Sequence, residues 1–300
     1  MNSMRYIIVP IMIGIFLVSF TGCVQPPQQD SGKIKMVTTF YPLYEFSQRI
    51  GGDRVEVSIL VPAGVEPHEW EPGPRDIIKI QSAQVFVYNG AGFEPWVEEM
   101  LKGIDSERLI VVDFSKGTEL LKEEGEALDP HIWLDPVFVK NQVYLIEEAL
   151  IKNDPENEKY YMANAQTLRE ELTKLDEEIR KELSYTKKKV FIASHAAFSY
   201  YAKRYVLKQI AITGLSPEAE PSPAKIAEIV KIAKNNEVKY IFFETLVSPR
   251  LSEVIAKEVG AKTLVLNPIE GLSQAEMDEG RTYFTVMRDN LKNLKLALDE

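Results

Sequence analysis

Glu158-Lys-Tyr-Tyr-Met-Ala-Asn-Ala-Gln-Thr-Leu-Arg-Glu-Glu-Leu-Thr-Lys-Leu-Asp-Glu-Glu-Ile-Arg-Lys-Glu-Leu183 is the stretch on which the reading of the whole chain turns. Apolar residues recur at Tyr161, Leu168, Leu172, Leu175 and Ile179, the spacing of one helix face, and no Gly or Pro interrupts them. The pattern predicts one long helix whose charged face is solvated. On either side of it the period changes. Upstream, short runs rich in β-branched residues at 34–38, 55–61, 85–88 and 109–112 alternate with helical patterns; the same alternation returns downstream at 190–193, 208–212, 240–243 and 263–266. Such alternation builds parallel sheets. The expected fold is therefore α/β with two lobes, each a mostly parallel sheet flanked by helices. Residues 33–155 form the first lobe and 186–300 the second, joined by one long helix across 156–185. An unbroken helix there is a stiff connector.

The 300-residue chain opens with Met1-Asn-Ser-Met-Arg5, continues through an apolar run from Tyr6 to Phe20 and then reaches Thr21-Gly22-Cys23, its only cysteine. A basic start, a short apolar run and small residues before the cut read as an export signal over 1–22, because a lasting span needs about 20 apolar residues. The small pair before Cys23 suits a lipobox, in which that cysteine becomes the lipidated first residue. Durable anchoring needs more than one acyl chain, so a diacylglycerol-type modification is expected. Residues 23–32, with Pro26, Pro27, Gln28 and Gln29, read as a flexible tether. A single cysteine excludes an intrachain disulfide. The formal net charge of −10 argues against nucleic acid as a partner.

Only three histidines are present, and each lies where a predicted strand runs out. His68 sits in a Pro-rich loop (Pro62 to Pro74), His131 lies between Pro130 and Trp133, and His195 follows the strand at 190–193. In an open α/β sheet, ligands gather beyond the carboxyl ends of the strands, so these residues can converge despite their separation in sequence. Each could instead be an ordinary surface or hydrogen-bonded histidine. Three imidazoles plus one carboxylate would close a tetrahedral zinc shell. For the carboxylate, Glu270 and Glu244 compete, each following a predicted strand, while Asp129 and Glu69 are weaker because they adjoin histidines already assigned. An aspartate could also orient an imidazole from behind. The acidic stretch from Glu119 to Glu126 reads as a surface loop.

Taken together, Thr38-Thr-Phe-Tyr-Pro42, Pro67-His-Glu-Trp-Glu-Pro72, Asp129-Pro-His-Ile-Trp-Leu-Asp-Pro136, Ser194-His-Ala-Ala-Phe198, Phe243-Glu-Thr-Leu-Val-Ser-Pro249 and Leu266-Asn-Pro-Ile-Glu-Gly-Leu272 resemble the motifs of the metal-binding receptors of zinc and manganese ABC importers. The resemblance spans nearly the whole chain after the leader. It implies two α/β lobes joined by a long helix, an ion held between them by His68, His131, His195 and Glu270, and delivery to a membrane permease. The protein would then be lipid-anchored at the extracytoplasmic face of the membrane. Histidine at the third position, where manganese-preferring members often carry glutamate, leans toward Zn2+, with Mn2+ the alternative. Asn267 stands where some zinc receptors carry aspartate, and the long histidine-rich loop of some members is missing.

Two other classes compete with the receptor. A His-liganded zinc hydrolase would keep an open position for an activated water, yet the chain has neither an His-Glu-x-x-His helix nor a serine-nucleophile elbow. A surface adhesin is the other. Because imidazoles bind metal only when neutral, affinity is expected to fall below about pH 6.5.

Overall fold

Met36, Val37, Val85, Phe86 and Val87 are all buried, so their strands are covered on both faces, as parallel strands between helical layers must be. The computed structural model describes residues 32–104, 108–122 and 127–300. The expected leader, Cys23 and the tether up to Ser31 lie outside the described residues, as does the 123–126 part of the acidic stretch. The first half runs β1 (Ile34–Thr38), α1 (Tyr41–Gly51), β2 (Val55–Ile59), α2 (Pro74–Gln81), β3 (Val85–Tyr88), α3 (Val97–Lys102), β4 (Ile110–Asp113), α4 (Pro136–Asn153) and α5 (Glu158–Ser184). The second runs β5 (Val190–Ala193), α6 (Ser199–Arg204), β6 (Lys208–Ala211), α7 (Pro223–Asn235), β7 (Tyr240–Phe243), α8 (Arg250–Val259), β8 (Lys262–Val265), α9 (Gln274–Asp278) and α10 (Tyr283–Asp299).

The sheets are ordered β2-β1-β3-β4 and β6-β5-β7-β8, and their pairings are parallel. In both, the chain leaves its first strand to one side and returns to the other, which opens a crevice at the carboxyl ends of the two central strands. Several expected strands end early, for one reason. Leu60, Val61, Ile212 and Leu266 lie just past β2, β6 and β8, and each still donates its N–H to a residue of, or just past, the neighbouring strand at 2.9 Å. They extend the ladder on one side only, where the loops to the crevice begin.

α5 is one unbroken helix of 27 residues, about 40 Å at 1.5 Å per residue. Its buried stripe of Tyr161, Ala165, Leu168, Leu172, Leu175, Ile179 and Leu183 packs on α1, α4 and α10. One apolar cluster runs through the molecule, taking in Phe40 and Trp133 from the first half, Leu172 from α5, and Phe198 and Tyr283 from the second. The outer face of each sheet has its own cluster, around Ile80, Phe86 and Val97 in one and Ile229, Ile241 and Ile255 in the other.

Polar bonds cross between the halves as well. Tyr283 Oη donates to the Trp133 carbonyl at 2.7 Å, Tyr283 N–H donates to Glu45 Oε2 at 2.5 Å, and the Trp133 indole donates to the Pro268 carbonyl at 2.7 Å. Arg204 on α6 grips Asp135, the residue capping α4, through Nε at 2.9 Å and a terminal nitrogen at 2.7 Å. The acidic stretch is more than a solvated loop at its start, since Leu120 and Leu121 pack against the core and Leu121 N–H donates to Tyr200 Oη at 2.9 Å.

Leu172→Ala, at the fully buried middle of the α5 stripe, is expected to lower the unfolding free energy of the metal-free protein by about 2–5 kcal/mol. Denaturant titration reads this, and a loss below about 1 kcal/mol would mean that the helix is not held by its packing.

Candidate metal centre

Five loops leaving strand ends build the site. The loop after β2 carries His68, that after β4 carries His131, β5 runs directly into His195, β7 into Glu244, and the loop after β8 carries Glu270. Ligand atoms of His68, His131, His195 and Glu270 lie within 4.8 Å of one another. The His131 Nε2 atom is 3.3 Å from that of His68 and 3.1 Å from that of His195. Glu270 Oε1 stands 3.2, 3.5 and 3.3 Å from the Nε2 atoms of His68, His131 and His195. A tetrahedron with metal–ligand bonds near 2.0–2.1 Å has edges of about 3.3 Å. These five spacings therefore suit donors around a single tetrahedral ion, and the sixth pair, His68 and His195, lies within 4.8 Å. Burial is deep: the side chains of His131 and His195 are 0% exposed, Glu270 1% and His68 9%, which makes His68 the ligand nearest solvent.

Carboxylates behind the rings decide which nitrogen faces inward. Asp129 Oδ1 takes both the His131 Nδ1 proton, at 2.8 Å, and the His131 backbone N–H, at 2.9 Å. Glu244 Oε1 holds His195 Nδ1 at 2.6 Å and also accepts from Ser194 Oγ. With Nδ1–H donated outward, each ring points Nε2 to the centre, where its lone pair is open to a metal once any proton on it has left. Of the competing carboxylates, Glu270 joins the cluster and Glu244 stands on the far side of the His195 ring. Asp129 likewise stands behind His131 rather than among the inward donors, and Glu69 is not part of the cluster. Asp135, the other aspartate near His131, caps α4 and pairs with Arg204.

Sequence reasoning missed the loop after β3. Glu94 is buried and accepts from Thr39 Oγ1 at 2.6 Å and from the Asn89 and Gly90 N–H groups at 2.8 and 3.1 Å; burial pushes its carboxyl up to about 7. Asn89 Nδ2 donates to the Pro130 carbonyl at 2.8 Å, beside His131. Phe93 packs edge-on to the His68 ring, with centroids 4.8 Å apart. The same strand-end rule that picked out the histidines would have pointed to this loop. Glu66 was also missed; its two oxygens accept the His68 N–H at 3.0 and 3.1 Å.

The imidazoles differ in basicity. Burial lowers the pKa of His68. Burial would also lower that of His195, but the Glu244 and Glu270 carboxylates outweigh it and push it up to about 10. In His131, burial is likewise outweighed, chiefly by the Asp129 and Glu270 carboxylates, and the pKa is raised. Burial would raise Glu270, but the charge at His195 and the bonds from three imidazoles hold it well below the usual carboxylate range. The ordinary histidine value therefore does not govern the site. The raised pKa favours a proton on His195 that competes with an incoming cation.

Two parallel sheets around a long helix, with three imidazoles and a carboxylate converging at their junction, define a two-lobed α/β protein with a buried cluster of donors that could hold a metal ion. The chain belongs to the family described as zinc-uptake complex component A, periplasmic, whose model matches residues 36–297. The high-affinity zinc uptake system protein ZnuA of Bacillus subtilis is 43% identical over 280 residues, covering 89% of this chain and 88% of that protein. The zinc-binding lipoprotein AdcA of Streptococcus pneumoniae is 40% identical over 303 residues, covering 96% of this chain; the match spans 60% of that relative's own length. Among solved structures, the Zn(II)-bound ZnuA-like domain of Streptococcus pneumoniae AdcA superposes with a TM-score of 0.80 at 42% identity, covering 90% of this chain and 100% of that one.

Because the neighbouring carboxylates favour a proton on His195, zinc binding at pH 7.5 should release about one proton or more per ion. Calorimetry in buffers of different ionisation enthalpy measures this, and zero release would contradict the assignment. Glu244→Gln removes the charge that raises His195, so the released fraction should fall and affinity should drop about 10–100-fold.

Proposed function

We propose that this chain is an extracytoplasmic receptor that captures Zn2+ with His68, His131, His195 and Glu270 and delivers it to the permease of an ABC importer. One observation carries the reading: three imidazole nitrogens and one carboxylate oxygen at tetrahedral spacing in a buried site. Family membership and the zinc-binding names of its relatives support it. Three nitrogen donors suit a borderline ion better than Mg2+ or Ca2+, which favour oxygen shells, and lean toward Zn2+ over Mn2+. Four protein donors fill the shell, which supports a receptor over a hydrolase needing an open position for water. Neither a manganese receptor nor an adhesin is favoured by a particular feature of the site.

In this reading, residues 33–155 and 186–300 act as the two lobes and 156–185 as their stiff link. Lipidated Cys23, with the leader at 1–22 removed and 23–32 as tether, anchors the protein outside the membrane. Among the described residues no helix is long and apolar enough to cross a membrane, which is compatible with such an anchor. Capture exchanges the His195 proton for the ion while Glu270 supplies negative charge, and the Asp129 and Glu244 carboxylates keep the rings aimed.

Competitive titration with Zn2+ and Mn2+ tests the reading. Glu270→Gln should weaken zinc binding by more than the roughly 10–100-fold typical of a partner behind a ligand, and His195→Ala should cost more than Glu244→Ala. Tighter binding of Mn2+ than of Zn2+, or equal losses for the two alanine variants, would overturn the metal preference or the choice of carboxylate respectively.

A further inference from the structure

Glu270 follows a backbone outlier. Ile269, fully buried and β-branched, sits at φ +59, a left-handed conformation that such residues avoid because Cβ crowds the backbone. A strained residue persists only when its surroundings over-determine it, and such residues cluster at functional sites. Here the restraint can be traced group by group. Asn290, buried on α10, pairs with the backbone of Asn267 as a neighbouring strand would: its Oδ1 accepts the Asn267 N–H at 2.8 Å and its Nδ2 donates to the Asn267 carbonyl at 2.6 Å. The Asn267 side chain then accepts the Ile269 N–H at 2.7 Å and donates to Thr245 Oγ1 at 3.1 Å, next to Glu244. The Pro268 carbonyl is taken by the Trp133 indole at 2.7 Å. Four backbone groups in the three residues before Glu270 are thus held by three side chains.

We propose that Asn290 and Asn267 are positioning residues that hold Ile269 in its left-handed conformation and so turn the Glu270 carboxylate into the metal centre. Neither side chain reaches the inward donors. The Trp133 bond adds a cross-brace, because Trp133 lies two residues after His131 and Pro268 two before Glu270. Fixing one to the other sets the distance between a ligand of the first half and a ligand of the second. Two polar amides are kept in an apolar interior with their partners satisfied, an arrangement that sets geometry more than it adds stability.

The proposal rests on the metal-site reading above, and a double-mutant cycle separates the two. Zinc affinity and the visible spectrum of the Co2+ form are measured for wild type, Asn290→Ala, Glu270→Gln and the double variant. If Asn290 acts through Glu270, Asn290→Ala should weaken zinc binding by about tenfold or more in the wild-type background and less than about threefold in the Glu270→Gln background, because residues in one network are non-additive. Its Co2+ spectrum should shift toward that of Glu270→Gln. Leu172→Ala, destabilised but remote, should leave affinity and spectrum unchanged. If Asn290→Ala does not fold, Asn267→Ala, which frees the Ile269 N–H, takes its place in the cycle. Equal losses in both backgrounds, or no loss, would overturn the positioning role while leaving the metal site standing. Failure of wild type to bind Zn2+ or Co2+ would sink the metal-site reading and this proposal with it.

Discussion

Three imidazole nitrogens and a carboxylate oxygen gathered within 4.8 Å of one another in a buried cluster cannot share that space as bare lone pairs. Their mutual repulsion, unscreened in a low-dielectric interior, has to be relieved by a proton or a cation at the centre. The remaining structure is organised around sustaining that crowding. Paired sheets with the same strand order direct their loops toward one crevice, α5 holds the two halves on one apolar core, and carboxylates behind two of the rings remove the freedom of the imidazoles to turn away.

The surrounding charges also make the donors unequal. The Glu244 and Glu270 carboxylates raise the pKa of His195, while burial lowers that of His68. On the receptor reading, capture becomes an exchange of charge for charge, and the ligand nearest solvent is also the least basic of the three imidazoles. Asp129 and Glu244 stabilise the positive charge that such an exchange leaves in the cleft without occupying a coordination position.

Much of this was legible along the chain because it is local. Strand cores such as 85–88, 190–193 and 240–243 announce themselves by short β-branched runs, and α5 by an uninterrupted apolar stripe. Strand ends were less clear, since Leu60, Val61, Ile212 and Leu266 pair on one side only and look no different in composition from full members. Glu270 and Glu244 could not be separated by position, as both follow a strand; the family resemblance ranked them, and the fold places one among the donors and the other behind His195. The Asn89–Glu94 loop and the Asn267–Asn290 pair left no periodic signal, because their partners lie in other loops and on a distant helix.

By itself, then, the sequence determined the alternation of strands and helices, the stiff central helix and the three histidines at strand ends, all of which depend on residues close together in the chain. Tertiary structure alone decided which oxygen joins them, which ring nitrogen faces inward and how strongly each proton is held. Those properties depend on distances of a few ångströms between groups tens to hundreds of residues apart, and only the packed molecule sets such distances.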